Sequence, residues 1–384
     1  MKDQIEKNQI IVLLLISSGI FLRFLFMTWG HNFDWESYCI VGEIASQFRN
    51  VYAETGRYNY GPVFLYIQGF LYNIASARGY YNENMYRVLM VVVLTTTDLG
   101  IAMILAKRYS IRKALIFFLN PISIIITGYH NQFDNIAVLL ALCTFFFYNE
   151  EERFNRRDIG FVLTLALCLM TKHILFMMPV FLLVRRGLYW KKRLVYACVP
   201  VGIFLLSFLP FALENQGLQG IINHVFLYRS ENNFPLLHVI LEAILFSKSL
   251  WFALYIILMI LVAVLTREYT YESQLFIYLI AMVAFSSAIA NQYLAIPMVA
   301  LCVFDVRCLR YCYMIINAAF LAVESSGLDL YSYVMAISPT SVGKLVKVFA
   351  TYGYDIAAWM LFAVLICILY RKMSVEAGTL QREE

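Results

Sequence analysis

Apolar residues come in long runs along nearly the whole chain, separated by short polar stretches. A run of about twenty such residues covers about 30 Å of hydrocarbon as a helix, and a backbone in lipid must satisfy its own hydrogen bonds, so the pattern predicts membrane-crossing helices. The runs fall near 9–28, 60–77, 87–106, 114–128, 135–148, 159–171, 174–184, 194–213, 250–266, 274–290, 292–304, 312–325 and 355–370. They predict an all-α, polytopic transmembrane bundle of about 11–13 spans. No internal repeat or flexible linker divides the chain, so a single integral membrane domain over 1–384 is expected.

Two places depart from the simple pattern. The runs 159–171 and 174–184 are short, since about thirteen residues rising about 1.5 Å each reach only about 20 Å. They predict a hairpin whose tip, Thr171-Lys172-His173, lies below the membrane surface in a wet or anion-filled cavity, because a lysine facing lipid is costly. The run 60–77 carries Gln68 and Asn73 and follows Gly61-Pro62. Counting it and 87–106 as full crossings would put the basic loop 107–113 on the wrong side, so 60–77 is expected to be re-entrant or interfacial.

Composition and charge sharpen the class. With 61% hydrophobic and 14% charged residues the chain is not an ordinary soluble domain. Its net charge of +5 comes from basic clusters between apolar runs: Lys107/Arg108/Arg112/Lys113, Arg153/Arg156/Arg157, Arg185/Arg186/Lys191/Lys192/Arg193, Arg307/Arg310 and Arg371/Lys372. Basic loops mark the cytoplasmic face, so the excess is topological and no nucleic-acid partner is inferred. The opposite face then holds 29–59, 128–134, the tip 171–173, 214–249, 290–293 and 326–354. Eight cysteines show no paired metal or disulfide spacing and read as small apolar fillers. Residues 10–28 lack a small-residue cleavage site and read as a retained first span.

The candidate chemistry lies on that opposite face. His31-Asn32-Phe33-Asp34-Trp35-Glu36 sets two carboxylates just past the first run, where an acid at bilayer depth costs about 2.5–3.5 kcal/mol and marks a wet cavity or an interface. Two apart on a helix, Asp34 and Glu36 point to different sides, so one works while the other supports. Tyr58-Asn59-Tyr60-Gly61-Pro62 reads as a helix start. Gly128-Tyr129-His130-Asn131-Gln132-Phe133-Asp134-Asn135 is unusually polar for a tight turn. A helix N-cap at Asp134 or Asn135 accounts for part of it, and His130 and Gln132 point to a polar substrate such as a sugar. Asn291-Gln292-Tyr293 interrupts a later run, and Asp98, after Thr95-Thr96-Thr97, reads as a structural bond to a neighbouring helix. Phosphate-loop, zinc-protease and serine-esterase motifs are absent.

Taken in order, the outer Asp motif at Asp34, Tyr58-Asn59-Tyr60-Gly61-Pro62, the turn His130-Asn131-Gln132-Phe133-Asp134-Asn135, Lys172 followed by Pro179, and Asn291-Gln292-Tyr293 resemble the multi-span GT-C glycosyltransferases. The likeness is nearest to bacterial members with a His-Gly-Gln-Phe-Asp turn. It implies an inverting transfer of a hexose such as mannose or glucose from a polyprenyl-phosphate donor. The acceptor would be a hydroxyl of a glycan or lipid-linked or cell-envelope molecule, on the non-cytoplasmic side of a bacterial plasma membrane.

The resemblance makes Asp34 the general base, and Glu36 reads as the supporting acid. On chemical grounds the candidates around the substrate are Tyr60, His130, Gln132, Asp134, Asn135, Gln292 and Tyr293, while a leaving phosphate needs cations or donors, for which Lys172, His173, His130 and Arg229 are candidates. Several relatives carry a histidine near that phosphate in a late outer loop, where this chain has Asn291-Gln292-Tyr293. No cofactor is expected, nor any metal, since Asp34 and Glu36 lack further oxygen ligands for an octahedral site. Two alternatives stay open: a transporter or flippase, whose usual paired halves are not found, and a glycan polymerase. The glycosyltransferase reading requires Asp34 and the turn 128–135 to share one wet pocket outside the cell interior, in a protein whose other partner is membrane lipid.

Overall fold

A computed structural model of the chain describes residues 2–228, 235–236, 248–325 and 341–383. All regular structure among the described residues is helical. Four helices are long and apolar enough to cross a membrane: Gln9–Thr28, Glu83–Arg108, Trp190–Ala212 and Val348–Arg371. Two bent pairs, Ile111–Phe118 with Pro121–His130 (47°) and Arg156–Thr171 with His173–Val184 (115°), raise the number to six if each pair is one span. Among the described residues that makes four to six candidate spans by length and composition, against the 11–13 expected. Runs such as Tyr271–Ala284 and Asn291–Val303 form shorter helices, and Leu275 to Ala284 is buried without a break. A helix enclosed by protein is apolar all round, like one enclosed by lipid, so run-counting merges the two.

The first part of the chain contains α1 (Lys2–Thr28), α2 (Asp34–Ser46), α3 (Val51–Glu54), α4 (Pro62–Ala75), α5 (Glu83–Arg108), α6 (Ile111–Phe118), α7 (Pro121–Ile125), α8 (Asp134–Cys143), α9 (Arg156–Thr171) and α10 (Met178–Val184). With 14 residues, α4 spans about 21 Å and falls short of a crossing. It starts where Gly61 and Pro62 dictate, with Pro62 in the first helical turn. Gly69 lets it lie directly on the backbone of Ala45 in α2. Between α2, α4 and α5 sits an aromatic core that includes Trp35, Tyr38, Tyr58, Phe64, Tyr86 and Phe133, with Phe64 and Phe133 stacked at 3.6 Å.

Two chain breaks shape the site. After α7 the helix widens into a π-helical turn, Ile126–His130, which Asn131 ends in the left-handed region at φ 55°. After α9, Lys172 is extended and a 3-10 turn, His173–Leu175, leads into α10. That is the hairpin tip the short runs implied.

The π-turn is fixed by a buried charged network. Arg23 of α1 gives two hydrogen bonds to Asp98 Oδ2 of α5, at 3.0 and 2.9 Å, and both side chains are fully buried. Thr127 Oγ1 donates to the same oxygen at 2.8 Å, and Asn135 Nδ2 donates to Asp98 Oδ1 at 2.6 Å. Gly128 lies against the carbonyl of Arg23. A buried charge is tolerated when paired and hydrogen-bonded, so four elements are held in one register. Asp98 is structural, as its sequence context suggested.

The other end of the bundle is basic and stapled by ion pairs: Arg108 with Glu272, Arg185 with Glu150 at 2.9 Å, Lys192 with Asp158 at 2.6 Å and Arg186 with Glu268 at 2.6 Å. Asp158 lies in the first turn of α9 and Lys172 just past its last residue, so the two ends are separated by that helix's length of 16 residues, about 24 Å.

Candidate active site

Asp34 is the first residue of α2 and is half-buried. Its neighbours are fixed in depth. Trp35 is buried, donates its indole N–H to Glu83 at 2.8 Å and packs on Tyr86 at 5.2 Å. Arg87 of α5 donates to the carbonyl of Gly30 and to Asn131 Oδ1 at 3.1 Å, tying the approach to α2 to the π-turn.

One helical turn beyond Asp34, Tyr38 donates its hydroxyl to Gln132 Oε1 at 3.0 Å, and Gln132 Nε2 donates to Asp34 Oδ2 at 2.5 Å. The phenol thereby fixes which end of the amide faces the carboxylate. Asn32 Nδ2 adds a bond to Oδ2 at 3.2 Å, while Asp34 Oδ1 accepts no hydrogen bond among the described residues. Asp34 and the polar turn, distant in sequence, share one site.

The second carboxylate is held differently. Asp134 Oδ2 accepts from Lys172 Nζ at 2.6 Å, both side chains are buried, and Oδ1 has no partner. The ammonium of Lys172 sits over the rings of Phe133 (4.6 Å) and Tyr60 (4.8 Å). Tyr60 is therefore the hub: it meets Phe133 edge-on at 4.9 Å and stacks on His173 at 6.0 Å. Burial, then the charges of Asp34 and Asp134, push its phenol well above the ordinary tyrosine range, and Tyr38 behaves likewise. Both hydroxyls stay protonated and can donate. The loop carrying Tyr60 is rigid, since Tyr58 donates to the carbonyl of Gly61 at 2.7 Å and accepts from the N–H of Leu65 at 3.0 Å. Gly61 lies against the carbonyl of Met170, just before the hairpin tip, where a side chain has no room.

From this hub a cleft of about 530 Å³ opens between the hairpin tip and later helices. Its polar part is lined by Lys172, His173, Tyr228, Ser286 and Tyr293, and its walls by Phe176, Val201, Phe204, Leu205, Phe252 and Tyr255. One end is polar and hydroxyl-rich, with the ammonium of Lys172 paired to Asp134, and the rest is oily.

Several site expectations change. Neither Asp134 nor Asn135 caps α8: the cap position is Phe133, without a side-chain cap bond, because Asp134 pairs with Lys172 and Asn135 with Asp98. Asn135 belongs to the buried network. Glu36 is exposed and faces Arg57 at 3.8 Å, away from Gln132. His130 is buried, with Nε2 bonded to Ser325 Oγ at 2.9 Å and Nδ1 unpartnered. Tyr293 lines the cleft, Gln292 beside it is half-buried, and Asn291 accepts from Tyr354 at 2.6 Å. Arg229, expected at the donor phosphate, lies outside the described residues, as do the rest of 229–234, 237–247 and 326–340, which fall in the two segments 214–249 and 326–354 expected to be outer loops.

Sequence reasoning passed over Arg23 and Arg87. The signal was present, since each is a lone arginine in or at the edge of an apolar run, and a charge there requires a partner. Neither a family model, nor a curated protein, nor a solved structure matches this chain.

Proposed function

We propose that the chain is an inverting glycosyltransferase of the GT-C kind, moving a hexose from a polyprenyl-phosphate donor to an acceptor hydroxyl on the non-cytoplasmic side of the membrane. One observation carries the reading: a half-buried carboxylate, Asp34, oriented by Gln132 and Tyr38, stands across Tyr60 from the head of a cleft that is polar at one end, where Lys172 shares its ammonium with Asp134, and apolar along its walls. A polyprenyl phosphate has that same division between a polar head and an oily tail.

The chemistry follows from the atoms present. The acceptor oxygen attacks the anomeric carbon from the face opposite the phosphate, the C–O bond to phosphate breaks, and the acceptor proton passes to Asp34 Oδ1. The transition state is oxocarbenium-like, as in glycoside hydrolysis, and a positioned base contributes about 10²–10⁴ in rate. The leaving phosphate gains charge as the bond breaks, and Lys172, already shared between Asp134 and two aromatic faces, has further N–H donors for it. Tyr60 and Tyr293 supply neutral hydroxyls beside it.

The test is a purified, reconstituted chain given polyprenyl-phosphate hexose and a lipid-linked acceptor, with product identified by mass spectrometry. Asp34→Asn should lose transfer by at least about 10² while keeping its unfolding temperature. Near-wild-type turnover of that variant removes Asp34 from the mechanism. A solute moved unmodified, or a glycan lengthened by whole repeat units, supports the transporter or the polymerase instead.

A further inference from the structure

The basic end of the bundle holds a second cavity that the proposed reaction does not use. It encloses about 280 Å³ and is lined by Arg112, Lys113, Arg307 and Arg310, with Asp305 its one carboxylate. Arg307 pairs with Asp305 at 3.5 Å, and both are exposed. Among the described residues no carboxylate answers the other three cations. Lys113 donates to the carbonyl of Val303 at 2.6 Å. Arg310 is buried, reaches the carbonyl of Leu301 only at 3.4 Å, and its Nε has no partner. A buried guanidinium N–H without an acceptor is left desolvated and unsatisfied, and an anion in the cavity would supply the missing partner.

The backbone adds to the same field. Helix α6 starts at Ile111, and the 18-residue helix Arg307–Glu324 starts on the other wall. The longer one has Val306 at its cap position and no side-chain cap bond, so its first N–H groups are open to an anion. The cavity also lies at a defined level. Ser110 follows the end of the candidate span Glu83–Arg108, and Arg371, the last residue of the candidate span Val348–Arg371, donates to the carbonyl of Asp305 at 2.6 Å. The ends of membrane-crossing helices lie at headgroup depth, so two candidate spans ending here would put the cavity at that level, and apolar Ile116 and Phe304 flank the cations.

We infer that this cavity is a phosphate-recognising site at the basic face, built to take the headgroup of an anionic phospholipid. It is independent of the glycosyl-transfer reading.

The full chain in detergent is titrated with dioleoyl phosphatidic acid, dioleoyl phosphatidylcholine and inorganic phosphate, and bound lipid is counted by native mass spectrometry. One phosphatidic acid should bind in preference to phosphatidylcholine, more weakly as salt rises. Arg112→Glu, at an exposed position, should weaken binding about tenfold or more, and so should Arg310→Gln if it folds. Arg153→Glu makes the same charge change in an exposed loop elsewhere and should leave binding unchanged. Displacement of the lipid by millimolar inorganic phosphate would make free phosphate the ligand of the same site. Equal binding of phosphatidylcholine, no binding of either phosphate compound, or equal losses in Arg112→Glu and Arg153→Glu would overturn the inference.

Discussion

Gln132 donates to Asp34 across 98 residues of sequence at 2.5 Å, and the Tyr38 hydroxyl on its other side determines that it donates rather than accepts. Asp34 thus accepts through Oδ2 and keeps Oδ1 without a hydrogen bond among the described residues, the oxygen that the proposed transfer uses for the acceptor proton. Exchanging that amide for an acid gives a clean test. In Gln132→Glu two carboxylates would face each other and share a proton, which raises the apparent pKa of the pair. Transfer should fall at least about tenfold at neutral pH and recover as pH rises through the raised pKa, because the base is then restored. Gln132→Leu should lose activity without that alkaline recovery. A pH–rate profile of the three proteins checks it.

Lys172 neutralises a buried aspartate. Lys172→Met should lower stability by about 3–5 kcal/mol, because Asp134 is left as an uncompensated buried charge. Adding Asp134→Asn should recover most of the loss without restoring donor binding. Thermal unfolding in detergent, read beside donor KM, separates the two effects. Full donor affinity in the double variant would count against Lys172 as a phosphate contact.

The Arg23–Asp98 pair should behave like other buried ion pairs. Asp98→Ala strands the guanidinium and two further donors, with an expected loss of about 3–5 kcal/mol. The double change Arg23→Met with Asp98→Leu should lose far less, since apolar replacements of a buried pair are often near neutral. Transfer should still suffer in the double variant, because Thr127 and Asn135 lose the oxygens that hold the π-turn. A stable, fully active double variant would show that the turn keeps its register unaided.

Gly61→Ala should destabilise by about 1–3 kcal/mol, because the added methyl runs into the backbone of Met170, which has no rotamer with which to yield. The same change at Gly202, which has no neighbour close to an added Cβ, should be tolerated. Paired unfolding curves decide it.

The helical class, the acid beside the polar turn and the break at Lys172 were legible because each rests on a local rule. A carboxylate beside an apolar run requires a wet setting, and a run too short to cross has to turn back. The span number was not legible, since Leu275 to Ala284 is as apolar as a lipid-facing helix although protein encloses it. The roles of Asp134 and Asn135 were not legible either. Both fit a helix cap locally, and only their partners Lys172 and Asp98, brought close by tertiary packing, show what each does. Arg310 gave no local sign of burial, since it stands in the sequence among loop cations.

Arg23 also bears on how such a chain is made. Its partner Asp98 lies 75 residues later. In a membrane-inserted chain α1 leaves the ribosome well before Asp98, so its guanidinium enters the membrane environment without this partner. A charge at bilayer depth is costly until α5 emerges and the pair can form.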